Sequence, residues 1–144
     1  MISVYHTSKE IYRVIREQST TAIQPIATPL STPPWLTAVR AAESKKAIDI
    51  RVLDLREVTS FADFFVVCSG ANPKQIQAIS EEIGQRLAQQ GEYPASVEGY
   101  ENAEWVLADY GDYLIHVFSA KARAYYDLER LWRHAKVVAI PEAS

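Results

Sequence analysis

Residues 104–118 read EWVLADYGDYLIHVF and gather Trp105, Asp109, Tyr110, Asp112 and His116 into one short stretch. Three kinds of chemistry use such a set. Paired carboxylates can hold two metal ions about 4 Å apart for phosphoryl transfer. An imidazole can activate a nearby nucleophile, here Cys68 or Ser69. Large aromatics bordered by acid form the anchor of a protein-docking surface.

Spacing separates the three. Neighbouring strand residues point to opposite faces, so Asp109 and Asp112 converge only if the turn at Gly111 brings them together. Asp112 is also a natural turn residue in its own right. The stretch CSGAN follows an apolar run, as in nucleotidyltransferases, yet it lacks a P-loop Lys-Ser/Thr pair and a GxGxxG pattern. A metal-dependent nucleotidyltransferase-like, nucleotide-binding enzyme is therefore the alternative reading, without its catalytic geometry. In YLIHVF, His116 shares a face with Leu114 and Phe118, the setting of a hydrogen-bonded structural histidine. His6, His116, His134 and the single Cys68 show no metal-ligand spacing. Cys68 reads as a small buried apolar residue. No catalytic residue, metal or cofactor is expected, and the chain is not read as an enzyme.

Docking fits the pattern better. Period two places Trp105, Leu107 and Asp109 on one strand face, and Val106, Ala108 and Tyr110 on the other. If Val106 and Ala108 pack inward, Trp105 and Leu107 form an apolar patch edged by Glu104 and Asp109. If the reverse holds, Trp105 is core. Arg123 and Tyr126, near the start of the last helix, are candidates for an adjoining edge, with an Arg123–Asp127 surface pair as the plainer role for the arginine.

Charge agrees with a protein partner. The net charge is -3, which argues against gripping nucleic acid by charge, and no sequence-specific nucleic-acid binding is expected. Residues 96–112 carry Glu98, Glu101, Glu104, Asp109 and Asp112 with no cation, whereas residues 121–136 carry five cations against two carboxylates. The acidic half repels phosphate and suits a basic protein.

The elements that must position these residues are readable. Residues 1–33 are rich in Ser, Thr and Pro and read as a flexible extension. A domain over 34–136 follows, with 137–144 as a tail. WLTAVRAAESKKA is helical, IDIRVLDLR alternates with Ile48, Ile50 and Val52 on one face, and DFFVVCSG is a central strand covered on both sides. Asn72, Pro73 and Gly91 punctuate a helix whose Ile76, Ile79, Ile83 and Leu87 face the sheet. YPASVEG is a short strand and 104–118 a hairpin. Ser119 then caps a helix over KARAYYDLERLWRHA, with Ala124, Leu128, Leu131 and Ala135 inward. The prediction is an α/β fold, a mixed sheet of about five strands flanked by helices. No apolar run reaches the roughly 20 residues of a membrane span. The N-terminus lacks an apolar signal core, so a cytoplasmic protein is expected.

From about Ala41 to Trp132 the chain resembles the ribosomal silencing factor, or Iojap, family. The resemblance rests on AAESKKAIDIRVLDLREVTSFADFFVVCSG, AISEEI, VEG, WVLADYGDYLIHVF and ARAYYDLERLW. Ala62 stands where family members usually carry Thr, and residues 1–33 do not align. The resemblance implies a nucleotidyltransferase-like fold without transferase activity. It also implies a translational repressor that binds the large ribosomal subunit through its ribosomal protein fourteen. There it would block joining of the small subunit when nutrients are short. The docking residues so implied are Trp105, Asp109, Tyr110 and Asp112, and a homodimer of the free protein is a further implication.

Overall fold

The structure, a computed structural model, describes residues 32–143. The expected extension over 1–33 falls almost wholly outside them. Pro33 sets the chain extended (φ -59°, ψ 144°) and Pro34 opens helix α1, Pro34–Ser44, where a missing N–H costs nothing. Strand β1 (Ile48–Asp54) leads to β2 (Phe64–Gly70), and helix α2 (Pro73–Gln89) crosses the sheet. Strands β3 (Ser96–Glu98), β4 (Trp105–Asp109) and β5 (Tyr113–Ser119) follow, then helices α3 (Ala120–Tyr126) and α4 (Leu128–Leu131), and strand β6 (Lys136–Val137).

The sheet runs β3-β4-β5-β2-β1-β6. Only β2 and β5 pair in parallel; the other pairs are antiparallel. The α/β expectation holds, with six strands rather than about five. The additional strand comes from Lys136 and Val137, which pair with Asp54 and Leu53.

Apolar β2 is central, and residues Phe65 to Gly70 are buried throughout. One face of the sheet lies under α1 and α2. There Ala38, Val39, Ile76, Ile79, Ile83 and Leu87 pack on Val52, Val66, Val106, Ile115 and Val117. The opposite face holds Leu53, Phe65, Val67 and Phe118 under Ala122, Leu128 and Trp132. Both ends of α2 follow the sequence: the Asn72 side chain accepts from the Gln75 N–H at 2.8 Å, and Gly91 takes φ +82°.

Two expectations fail. The single-face alternation of Ile48, Ile50 and Val52 is interrupted by a bulge between Ile48 and Arg51, where Asp49 adopts φ +52°. The extra residue shifts the phase, and Ile48 is left 49% exposed. The last helix is also not continuous. Asp127 sits in the left-handed region (φ 51°, ψ 50°) and divides it into α3 and α4. A single helical phase no longer applies, so Ala122 is buried while Ala124 and Leu131 face outward.

Candidate functional site

The hairpin is held by its own side chains. Gly111 supplies the positive φ (89°) that a two-residue turn needs. Asp109 Oδ1 accepts from the Gly111 N–H at 2.8 Å, and the Tyr110 N–H donates to the Tyr113 carbonyl at 3.0 Å. The Asp112 carbonyl accepts from the Asp63 N–H at 2.6 Å, tying the turn to the start of β2. One carboxylate thus bends back on the turn while Asp112 stays exposed. They do not form a paired metal cup, and no group of three or more His, Cys, Asp or Glu placed to hold a metal occurs among the described residues.

At the other end, Gly99 (φ +81°) lies so close to the Trp105 carbonyl that a Cβ would stand 2.0 Å from it. Only glycine fits there, and this contact sets where β4 begins. Ser119 accepts from the Ala122 N–H at 3.0 Å as cap of α3 and donates to Glu104 at 2.9 Å. The base of the hairpin is thereby joined to α3.

This joint brings Tyr126 onto Trp105, with ring centroids 4.6 Å apart, while Phe118 stacks on the indole at 5.0 Å. Trp105 is half-buried in the second-face cluster. Val106 and Ala108 do pack inward under α2, so the indole and half-buried Leu107 lie on the thinly covered face. Tyr126 is 50% exposed, and Phe61, Tyr125 and Leu131 add further exposed apolar area. An open hollow lined by Tyr125, Tyr126, Asp127, Arg130, Leu131 and Arg133 adjoins the ring cluster.

The other candidate residues sit differently. Tyr110 is only 6% exposed and stacks on Tyr113 on the helix-covered face, leaving little surface for a partner. Arg123 does not pair with Asp127. It forks onto Glu129 at 2.9 and 3.0 Å and donates to Ser69 Oγ at 3.0 Å. The reason is the left-handed turn at Asp127, which carries Glu129 back toward Arg123. That ion pair holds the Glu129 carboxyl below its usual range. It also reaches the Ser69 end of β2, so the serine hydroxyl there is already engaged by a guanidinium.

His116 is 3% exposed, and its Nδ1 accepts from the Trp105 indole N–H at 3.1 Å. A neutral imidazole that accepts at Nδ1 carries its proton on Nε2. That buried N–H has no acceptor among the described residues, a deficit of about 1–3 kcal/mol. Burial pulls the imidazole down to about 3, so it stays neutral at physiological pH. Cys68 is fully buried, and burial pushes its thiol up to about 12, far from nucleophilic.

Sequence reasoning overlooked Phe61, Tyr125 and Leu131 on this surface. The break at Asp127 that exposes two of them carries no Gly or Pro signal. The His116–Trp105 bond was latent in the hairpin register, since Leu107 faces His116 and Trp105 faces Phe118.

The fold and the site together define an α/β domain with a half-open aromatic face and turn carboxylates that are not gathered into a metal or catalytic cluster among the described residues. The comparisons make the assignment. Residues 30–144 match the family model described as ribosomal silencing factor during starvation. The chain is 45% identical over 101 residues to the ribosomal silencing factor RsfS of Halalkalibacterium halodurans, covering 70% of this chain and 86% of that one. It is 42% identical over 98 residues to the RsfS of Bacillus subtilis, covering 68% and 83%. A crystal structure from Bacillus halodurans superposes with TM-score 0.64 at 42% identity, covering 72% of this chain and 93% of that one. The chain belongs to the ribosomal silencing factor family, a family of ribosome-binding factors rather than enzymes.

Proposed function

We propose that this protein represses translation by docking the Trp105 face on the large ribosomal subunit, against its basic ribosomal protein fourteen. The bound protein then occupies surface the small subunit needs, so joining is blocked by exclusion, chiefly under nutrient limitation. The observation that carries this reading is the half-buried Trp105 indole under a half-exposed Tyr126 ring, with exposed Tyr125 and Phe61 on the same thinly covered face of the sheet and an acidic turn on the hairpin. Trp105, Leu107 and Tyr126 supply apolar contact, Asp109 and Asp112 meet cations, Arg123 braces α3, and Tyr110 supports the hairpin from beneath. A standard interface takes about 800 Å² from each partner, an area a hairpin and one helix can provide. Free in the cytoplasm, the protein pairs with a second copy through the same face.

The test is sedimentation. Mixed with purified subunits, the protein is expected to travel with free large subunits and not with assembled ribosomes. Added before the small subunits, it should lower the assembled fraction. Equal occupancy of free and assembled particles would overturn the proposal.

A further inference from the structure

His116 is placed where an apolar side chain would serve the core as well. It is buried among Phe65 (4.6 Å), Trp105 (5.9 Å) and Phe118 (6.0 Å), and its Nε2 has no acceptor among the described residues. The Phe65 ring, set at a steep angle to the imidazole, offers that N–H at most a weak π contact. A leucine would fill the same space and remove that orphaned donor, exchanging it for a Trp105 indole N–H left without its acceptor on a half-buried ring. Stability therefore does not account for the imidazole. Its one directional bond, from the Trp105 indole N–H to Nδ1, does.

We propose that His116 is a positioning residue for docking, fixing the Trp105 indole between Phe118 and Tyr126 in the orientation the partner receives. The indole's two ring neighbours constrain its plane but not which way over the ring lies about χ2, and so not where its N–H points. The hydrogen bond supplies the missing constraint, and an anchor held in its bound pose loses less entropy on association. This rests on the docking reading above.

Three substitutions in the full chain test it, followed by NMR and by large-subunit binding. The protein has three tryptophans, and the Trp105 indole signal is identified as the one lost in Trp105→Phe. In His116→Leu that signal should shift and exchange faster with water. The fold should be about as stable as wild type, one orphaned N–H replacing another, and binding about fivefold weaker, the equivalent of one ordinary hydrogen bond. In His116→Asn, Oδ1 takes the place of Nδ1, so binding should recover even though a buried amide lowers stability. Stability and affinity then rank the two variants in opposite orders, which a merely structural histidine would not produce. Trp105→Phe keeps a ring without the N–H and should match the loss in His116→Leu, which carries the test should that variant misfold.

Wild-type binding by a folded His116→Leu, or no recovery in His116→Asn, would overturn the proposal. Trp105→Ala, measured alongside, keeps the two readings apart. If it binds normally, docking through Trp105 fails and the positioning role with it. If it loses binding while His116→Leu does not, only the positioning role fails.

Discussion

Helices of 11 and 17 residues cover one face of the sheet, whereas helices of 7 and 4 residues cover the other. Under the long pair, Ile76, Ile79, Ile83 and Leu87 are at most 2% exposed, and every turn of α2 contributes a buried side chain. Under the short pair, Trp105 and Leu107 are half-covered, while Tyr126, Tyr125 and Leu131 are 50%, 79% and 66% exposed. The first face closes the hydrophobic core. The second stops short of closing it, and what it leaves open is largely aromatic, with the acidic turn at the far end of the hairpin from Trp105. On the proposed docking role, stability and recognition would fall on opposite sides of one sheet.

Substitutions can separate the two roles. Ile83→Ala, on the closed face, should cost about 3 kcal/mol of unfolding free energy in a urea titration. Binding per folded molecule should be unchanged. Trp105→Ala should do the converse, weakening large-subunit binding by about 2 kcal/mol, roughly 30-fold, with a smaller effect on unfolding. If the stability losses came out equal, the distinction between the faces would be lost.

A pH titration probes the histidine under the open face. Its folded value of about 3 lies below the ordinary 6.5. On acidification the unfolded chain takes up that proton first. The stabilisation from keeping His116 neutral is complete above pH 6.5 and declines as pH falls toward 3, by about 1.4 kcal/mol per unit. Between pH 6.5 and 4.5 the depressed carboxylates of Asp54 and Glu129 contribute little, so His116→Leu should largely flatten the stability curve. Smaller still, Asp112→Lys should slow association a few-fold at low salt and hardly at all at high salt. Tyr125→Ala should alter unfolding by less than about 0.5 kcal/mol, because so little of the ring is covered.

The closed face was the more legible in sequence. The unbroken apolar run of β2, the Asn72-Pro73 start and the 3.6-residue spacing of α2 are local signals, and each holds. The hairpin and the Ser119 cap were equally plain. Failures gather where a non-glycine residue takes positive φ. Asp49 bulges β1 and Asp127 breaks the last helix; Asp tolerates the left-handed region better than most residues, but it does so at few of its positions and nothing local singles out these two. The pairing of Lys136 and Val137 with β1 depends on tertiary placement that no local pattern encodes. For the candidate site, period two correctly divided Trp105 and Leu107 from Val106, Ala108 and Tyr110. The partner of Arg123 stayed hidden, because it follows from the same turn at Asp127.

Side-chain oxidation by hydroxyl radicals, read residue by residue, tests the division of faces most directly. On addition of large subunits, Trp105, Tyr125, Tyr126 and Phe61 should lose reactivity together, while Tyr93, in the loop between α2 and β3, and Tyr100, whose hydroxyl donates to Glu81 of α2, keep theirs. Protection confined to Tyr93 and Tyr100, with the Trp105 cluster as reactive as in the free protein, would contradict the account.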